Sequence, residues 1–227
     1  MGSWKKVPEW TYNFISNAAI KDYLQSVFPK LDVAKIFEQN SILAYDLFRY
    51  TIVYQNGGMY ADSDVNKADQ FQDSMTNLRD CNVIVGIEGD LRTEPEWVNR
   101  LPRSLQICQW SFYAKERHPM VKYAMDRIVD KIWWLQQKKK NLHDQDVMEV
   151  TGPGIWTDAV IDYIKVNAGV DIKEYMKCGQ SYRFKDICIL NVKAFASTMP
   201  HSTCKSETNE NSYIINTHHF LGSWRNN

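Results

Sequence analysis

A chain of 227 residues is long enough to bury a sizeable core as one domain. Its 27 Lys and Arg balance 27 Asp and Glu, and a net charge of zero argues against a nucleic-acid partner, which usually requires a basic surface. No run of ~18 apolar residues and no signal peptide is found, which excludes a membrane segment in this chain.

In chain order, Ser16 is placed to cap a helix running to about Phe28, with Pro29 after it. Residues 40–55 read as a second helix, because Ile42, Leu43, Leu47, Tyr50 and Tyr54 recur at intervals of three, four and seven. Asn56-Gly57 is a helix stop, and Gly58 lets the chain turn tightly into a strand from Met59 to Ala61. The apolar run Val83 to Ile87 reads as a buried strand with Glu88 at its carboxyl end. Residues 104–116 and 120–137 read as helices separated by His118-Pro119, where proline favours an extended His118 and starts the next helix. Lys138-Lys139-Lys140 is a solvated helix end. Gly152-Pro153-Gly154 marks a turn into a helix from Ile155 to Val166. Ile187 to Leu190 and Tyr213 to Asn216 are short strands, and the polar stretch 199–212 between them is a loop. This alternation of strands and helices, without internal repeats, predicts a single α/β domain over residues 1–227.

The five cysteines (Cys81, Cys108, Cys178, Cys188, Cys204) lack metal-ligand spacing. Cys178 and Cys188, or either with Cys204, can bridge in an oxidising lumen; five free thiols are the alternative.

The chemistry concentrates on Asp62-Ser63-Asp64, at the end of the short strand. Two carboxylates one residue apart can share a divalent cation, and such a cation can grip the pyrophosphate of a nucleotide-sugar. Hard oxygen ligands suit Mn²⁺ or Mg²⁺. Asp46 and Arg49 lie at i and i+3 on one helix face. Such a pair is either a surface ion pair or a sugar clamp, since a carboxylate can accept hydroxyl hydrogens and a guanidinium can donate back in fixed geometry. Helix, sharp turn and strand gather these groups near the strand's carboxyl end, where ligands bind in open α/β sheets.

The stretch Asp46 to Val65, DLFRYTIVYQNGGMYADSDV, resembles the signature of glycosyltransferase family 32, most narrowly its yeast-type initiation-specific α-1,6-mannosyltransferases. Gln109-Trp110 leading to His118-Pro119, the run Thr151 to Thr157, and the run His218 to Trp224 agree with it in the right order. The resemblance implies a GT-A-type, Rossmann-like fold with a mostly parallel central sheet flanked by helices. The family's opening strand is matched only at Trp4-Lys5, so a sheet position is expected to be vacant or truncated.

The resemblance also distributes roles. Asp64 is the direct metal ligand, and Asp62 faces the ribose and donor sugar with or without a metal bond of its own. His218 is the further metal ligand, with His219 the alternative. Tyr60 packs beside the donor, Ser223 offers an oxygen to metal or pyrophosphate, and Trp224 closes over the donor as a lid. Glu88, Thr151 and Gly152 belong to the acceptor side, while His118 reads as structural. The implied reaction is metal-dependent, retaining transfer of mannose from GDP-mannose to an oligomannose or other mannose-containing glycan, in the Golgi lumen. A UDP-sugar donor, a sphingolipid acceptor, or a silent domain that binds a sugar-nucleotide or glycan are the competing readings.

Overall fold

The computed structural model describes residues 3–195 and 213–221. Ser223, Trp224, Cys204 and the loop expected over 199–212 lie outside them. Helices α1 (Asn17–Val27) and α2 (Val33–Asn56) come first, followed by strands β1 (Gly58–Ala61) and β2 (Val65–Lys67), helix α3 (Phe71–Asn77) and strand β3 (Val83–Asp90). Strands β4 (Leu105–Ile107) and β5 (Ser111–Ala114) precede helices α4 (Pro119–Gln137), α5 (Val147–Val150), α6 (Pro153–Ala168) and α7 (Ile172–Tyr175). Strands β6 (Tyr182–Phe184), β7 (Ile187–Leu190) and β8 (Asn216–His218) complete the order.

The helix starts follow their local chemistry. Ser16 Oγ accepts the Ala19 N–H, and Asp32 Oδ1 accepts the Lys35 N–H at 2.9 Å. Helix α2 is broken at Asn40, whose φ of −160° is not helical, so its second limb is the helix expected over 40–55. His118 is extended and caps α4, its Nδ1 accepting the Met120 N–H at 3.2 Å.

The main sheet runs β1-β5-β3-β7-β6, with β4 also paired to β3. Only β3 and β7 are parallel; the other pairings are antiparallel, so the sheet is mixed rather than mostly parallel. The reason lies in the connections. Parallel neighbours need a long crossover, and the helices α4 to α7 supply it between β3 and β7, whereas β6 and β7 are joined by a hairpin. Residues 104–116 are likewise corrected from helix to β4 and β5. Leu105, Gln106 and Ile107 are all buried along β3, and sheet pairing overrides the local pattern.

Both faces of the sheet are covered. Val83, Val85, Ile87, Ile187 and Ile189 join the core under α1, α2, α4 and α6. Ile84, Cys188 and Leu190 turn the other way, toward Phe71, Leu78, Phe195 and Ile215. This period-2 split is why the strands read as continuous apolar runs. Cys188 is bonded to Cys81, not to Cys178 or Cys204, because β7 points it toward the face that Cys81 borders. Cys108 is a buried free thiol. No strand forms among residues 3–15; that segment packs on the second core, with the Trp4 indole N–H donating to the Val65 carbonyl at 2.8 Å. Among the described residues no helix is long and apolar enough to cross a membrane.

The turn from α2 into β1 aims Asp62 and Asp64, and it depends on two glycines in the left-handed region, Gly57 (φ 65°) and Gly58 (φ 97°). A Cβ on Gly57 would come within 2.7 Å of the Glu116 backbone nitrogen, whereas one on Gly58 would meet nothing within 4 Å. Both alanine substitutions incur backbone strain, so each is expected to cost ~1 kcal/mol or more, with Gly57→Ala the costlier. Thermal unfolding of the two variants side by side checks this; equal losses would refute the steric part.

Candidate functional site

A cleft of about 1250 Å³ opens between the N-terminal segment, α2, the β1–β2 turn and β8. Asp46, Arg49, Tyr60, Asp62, Asp64, Glu88, Gln109, Trp110 and His218 all line it. Helix α2 supplies the deepest charges. Arg49 Nη2 lies 2.8 Å from Asp46 Oδ1, with both side chains buried. The Thr151 hydroxyl donates to Asp46 Oδ2 at 2.8 Å. Arg49 also reaches Asp62 Oδ1 at 3.5 Å and lies 5.3 Å from the Tyr60 ring centroid. The Tyr60 hydroxyl donates to Asp62 Oδ1 at 2.8 Å. Four groups thus converge on one wall, and Asp62 is the half-exposed member that faces the cleft.

Burial pushes the Asp46 carboxyl above its ordinary range, while Arg49 and the Thr151 hydroxyl hold it back. Burial also works against the Arg49 charge, but Asp46 and Asp62 outweigh it and hold the guanidinium well above its ordinary value. Burial, then Asp62, raise the Tyr60 phenol far enough to keep it a donor. The result is a fixed cation flanked by acceptors.

Asp62-Ser63-Asp64 is a tight turn between β1 and β2, closed by the Val65 N–H on the Asp62 carbonyl at 3.0 Å. Strand β8 pairs antiparallel with β2 and sets His218 opposite Val65. His218 Nε2 is therefore 3.2 Å from Asp64 Oδ2, which also accepts the Leu221 N–H at 3.1 Å. Burial lowers the His218 pKa despite the pull of Asp64 and Asp62, which favours the neutral ring, the form that can ligate a metal. His219 points elsewhere: its ring nitrogen is 2.8 Å from Asn66 Nδ2, and it does not line the cleft.

The acceptor-side placement of Thr151 and Gly152 needs correcting. Thr151 is fully buried behind Asp46, and Gly152 is the N-cap of α6, so neither lines the cleft. Glu88 does line it, within β3 rather than after it, and accepts from Gln106 Nε2 at 2.8 Å. Gln109 and Trp110 enter because the chain leaves the sheet between β4 and β5. The Trp110 carbonyl accepts the Asp62 N–H at 2.9 Å, and its ring lies 4.7 Å from that of His218. Tyr50, read from the sequence only as a periodic position of the helix, donates to Gln109 Oε1 and is 3.1 Å from the Thr151 carbonyl. Its position four residues after Asp46 was the available signal. Asn216 was missed as well: its amide donates to Ser111 Oγ, which donates to the Tyr60 carbonyl, tying β8 to β5 and β1.

Comparison with known proteins points the same way. Residues 3–81 match the family described as a glycosyltransferase sugar-binding region containing a DXD motif. The chain is 31% identical to the initiation-specific alpha-1,6-mannosyltransferase of Schizosaccharomyces pombe, an alignment covering 96% of this chain and 57% of that protein. It is 28% identical to the Candida albicans protein of the same name, over 97% of this chain and 64% of that protein. The chain thus spans about three fifths of the length of these relatives.

The buried pair invites a direct stability test. Arg49→Met strands the Asp46 carboxylate and is expected to cost about 3–5 kcal/mol in chemical denaturation. Adding Asp46→Asn, which keeps an acceptor for Thr151, should recover most of it. A single-variant loss below ~1 kcal/mol would mean that the pair is effectively solvated.

Proposed function

We propose that this chain is a DXD-containing glycosyltransferase and, more narrowly, a retaining mannosyltransferase moving mannose from GDP-mannose to a mannose-containing glycan. The observation that carries the reading is the convergence of Asp46, Arg49, Tyr60 and Asp62 beside the Asp64–His218 pair on one wall of the cleft. The relatives' names favour mannose as the sugar.

The donor set fits a divalent cation: a carboxylate oxygen and a neutral imidazole nitrogen lie 3.2 Å apart, a separation that two neighbouring ligands of one ion can span. Among the described residues His218 Nδ1 is buried without a hydrogen-bond partner, which leaves the ring free to be set by a ligand at Nε2. Asp64 and His218 would hold Mn²⁺ or Mg²⁺, with Asp62 close by; when bound, the ion neutralises charge on the departing pyrophosphate. Two protein ligands leave room for phosphate oxygens.

The remaining work falls to the chain's own residues. Asp46 and Asp62 accept from the donor sugar's hydroxyls, and Arg49 donates to them from a position it cannot leave. Tyr60 fixes Asp62 and closes one side of the sugar pocket. The acceptor hydroxyl enters from the Glu88 side, and the leaving phosphate takes its proton, so no enzyme nucleophile is required.

Calorimetric titration with GDP-mannose, GDP and UDP-glucose, in Mn²⁺ and then EDTA, tests the donor. Metal-dependent binding of the guanosine ligands alone is expected; uptake of UDP-glucose instead would overturn the donor assignment. Asp64→Asn should lower metal-dependent turnover about 100-fold or more while the fold persists, and undiminished transfer would sink the site.

A further inference from the structure

We propose that the C-terminal end of α4 is a docking surface for an anionic lipid membrane. Trp133 and Trp134 are adjacent on that helix and each remains 46% exposed. They cannot turn inward, because Ile132 and Leu135 on either side of them are already buried in the core. Neighbouring helix positions diverge by about 100°, so the two rings spread over a convex end rather than forming a groove. A convex pair of indoles suits an interface, where tryptophan settles with one edge apolar and the other wet.

Charge surrounds the rings. Residues 130–140 carry Lys131, Lys138, Lys139 and Lys140 against the single acid Asp130. All four lysines are exposed, and among the described residues none forms an ion pair. Lys131 Nζ lies 5.8 Å from the Trp134 ring centroid, so cation and ring share one patch. The Lys138 N–H donates to the Trp134 carbonyl and the Lys140 N–H to the Leu135 carbonyl, both at 3.0 Å, which holds the basic run against the helix end. Gln136 grips the Asp32 backbone from both sides, at 3.1 and 3.0 Å, and so brings the loop carrying exposed Lys30 alongside. Unpaired lysines around exposed indoles complement a negatively charged lipid surface: stems and rings bury while ammonium groups reach the headgroups. An acidic protein would satisfy the lysines but would leave the convex indole pair without a matching pocket.

Seven residues beyond Lys140, Val147 lines the cleft, so a docked membrane would lie close in sequence to the cleft wall. The proposal is independent of which sugar the site transfers.

The test is cosedimentation of the whole chain with phosphatidylcholine vesicles, with and without roughly one third phosphatidylserine. Binding to the anionic vesicles should exceed binding to the neutral ones about tenfold at ~0.1 M salt and fall as salt rises. The variant Trp133→Ser with Trp134→Ser should lose most of that binding, as should Lys138→Glu with Lys139→Glu and Lys140→Glu. Circular dichroism should show both variants folded, since all five side chains are exposed. Equal binding to the two vesicles, or none, overturns the proposal. Loss with the lysine variant but full binding by the tryptophan variant also overturns it, pointing to a purely electrostatic contact such as an acidic protein would make.

Discussion

Arg49 and Asp46 sit one helical turn apart on α2 with almost no access to water, and neither could be charged there alone. Their mutual neutralisation allows a full guanidinium charge at the bottom of the cleft. Everything that touches this pair is drawn into register with it. Thr151 fixes the start of α6, the Gln109 carbonyl marks the break between β4 and β5, and Asp62 fixes the end of β1. A ligand entering the cleft would therefore meet groups whose orientation was decided by folding, and little would need to reorganise when it arrives.

The break between β4 and β5 shows how the sheet serves the cleft. Both segments pair with β3, but residues 108–110 step away, with the Cys108 N–H bonded to the Gly86 carbonyl. The step releases Gln109 and Trp110 from the ladder and turns them toward the acids. A regular strand would have kept them in alternation and closed the wall.

Much of the site's inventory was legible in the sequence because it is local. Asp46, Arg49, Tyr60, Asp62 and Asp64 fall within one helix–turn–strand unit, whose glycines and apolar spacing announce the geometry. His218 was legible only through resemblance, since nothing local links it to Asp64. What escaped were features set by distant partners. Residues 104–116 have a helical look, but β3 claims them as strands, and the mixed sheet follows from connection lengths that local pattern does not encode. Thr151 was placed in the acceptor wall, yet a buried carboxylate 105 positions away holds its hydroxyl. Cys188 pairs with Cys81 across 107 residues for the same reason: strand facing, not spacing, selects the partner.

The ladder between β2 and β8 carries a consequence for biogenesis. His218 lies 154 residues after Asp64, so the two halves of the pair leave the ribosome far apart in time. At synthesis rates of about 5–20 residues per second, the interval is ~8–30 s. During that interval the helix–turn–strand unit can fold around Arg49, while the Asp64 carboxylate lacks the Leu221 amide and the imidazole. The pairing is thus withheld from the nascent chain until β8 has been made.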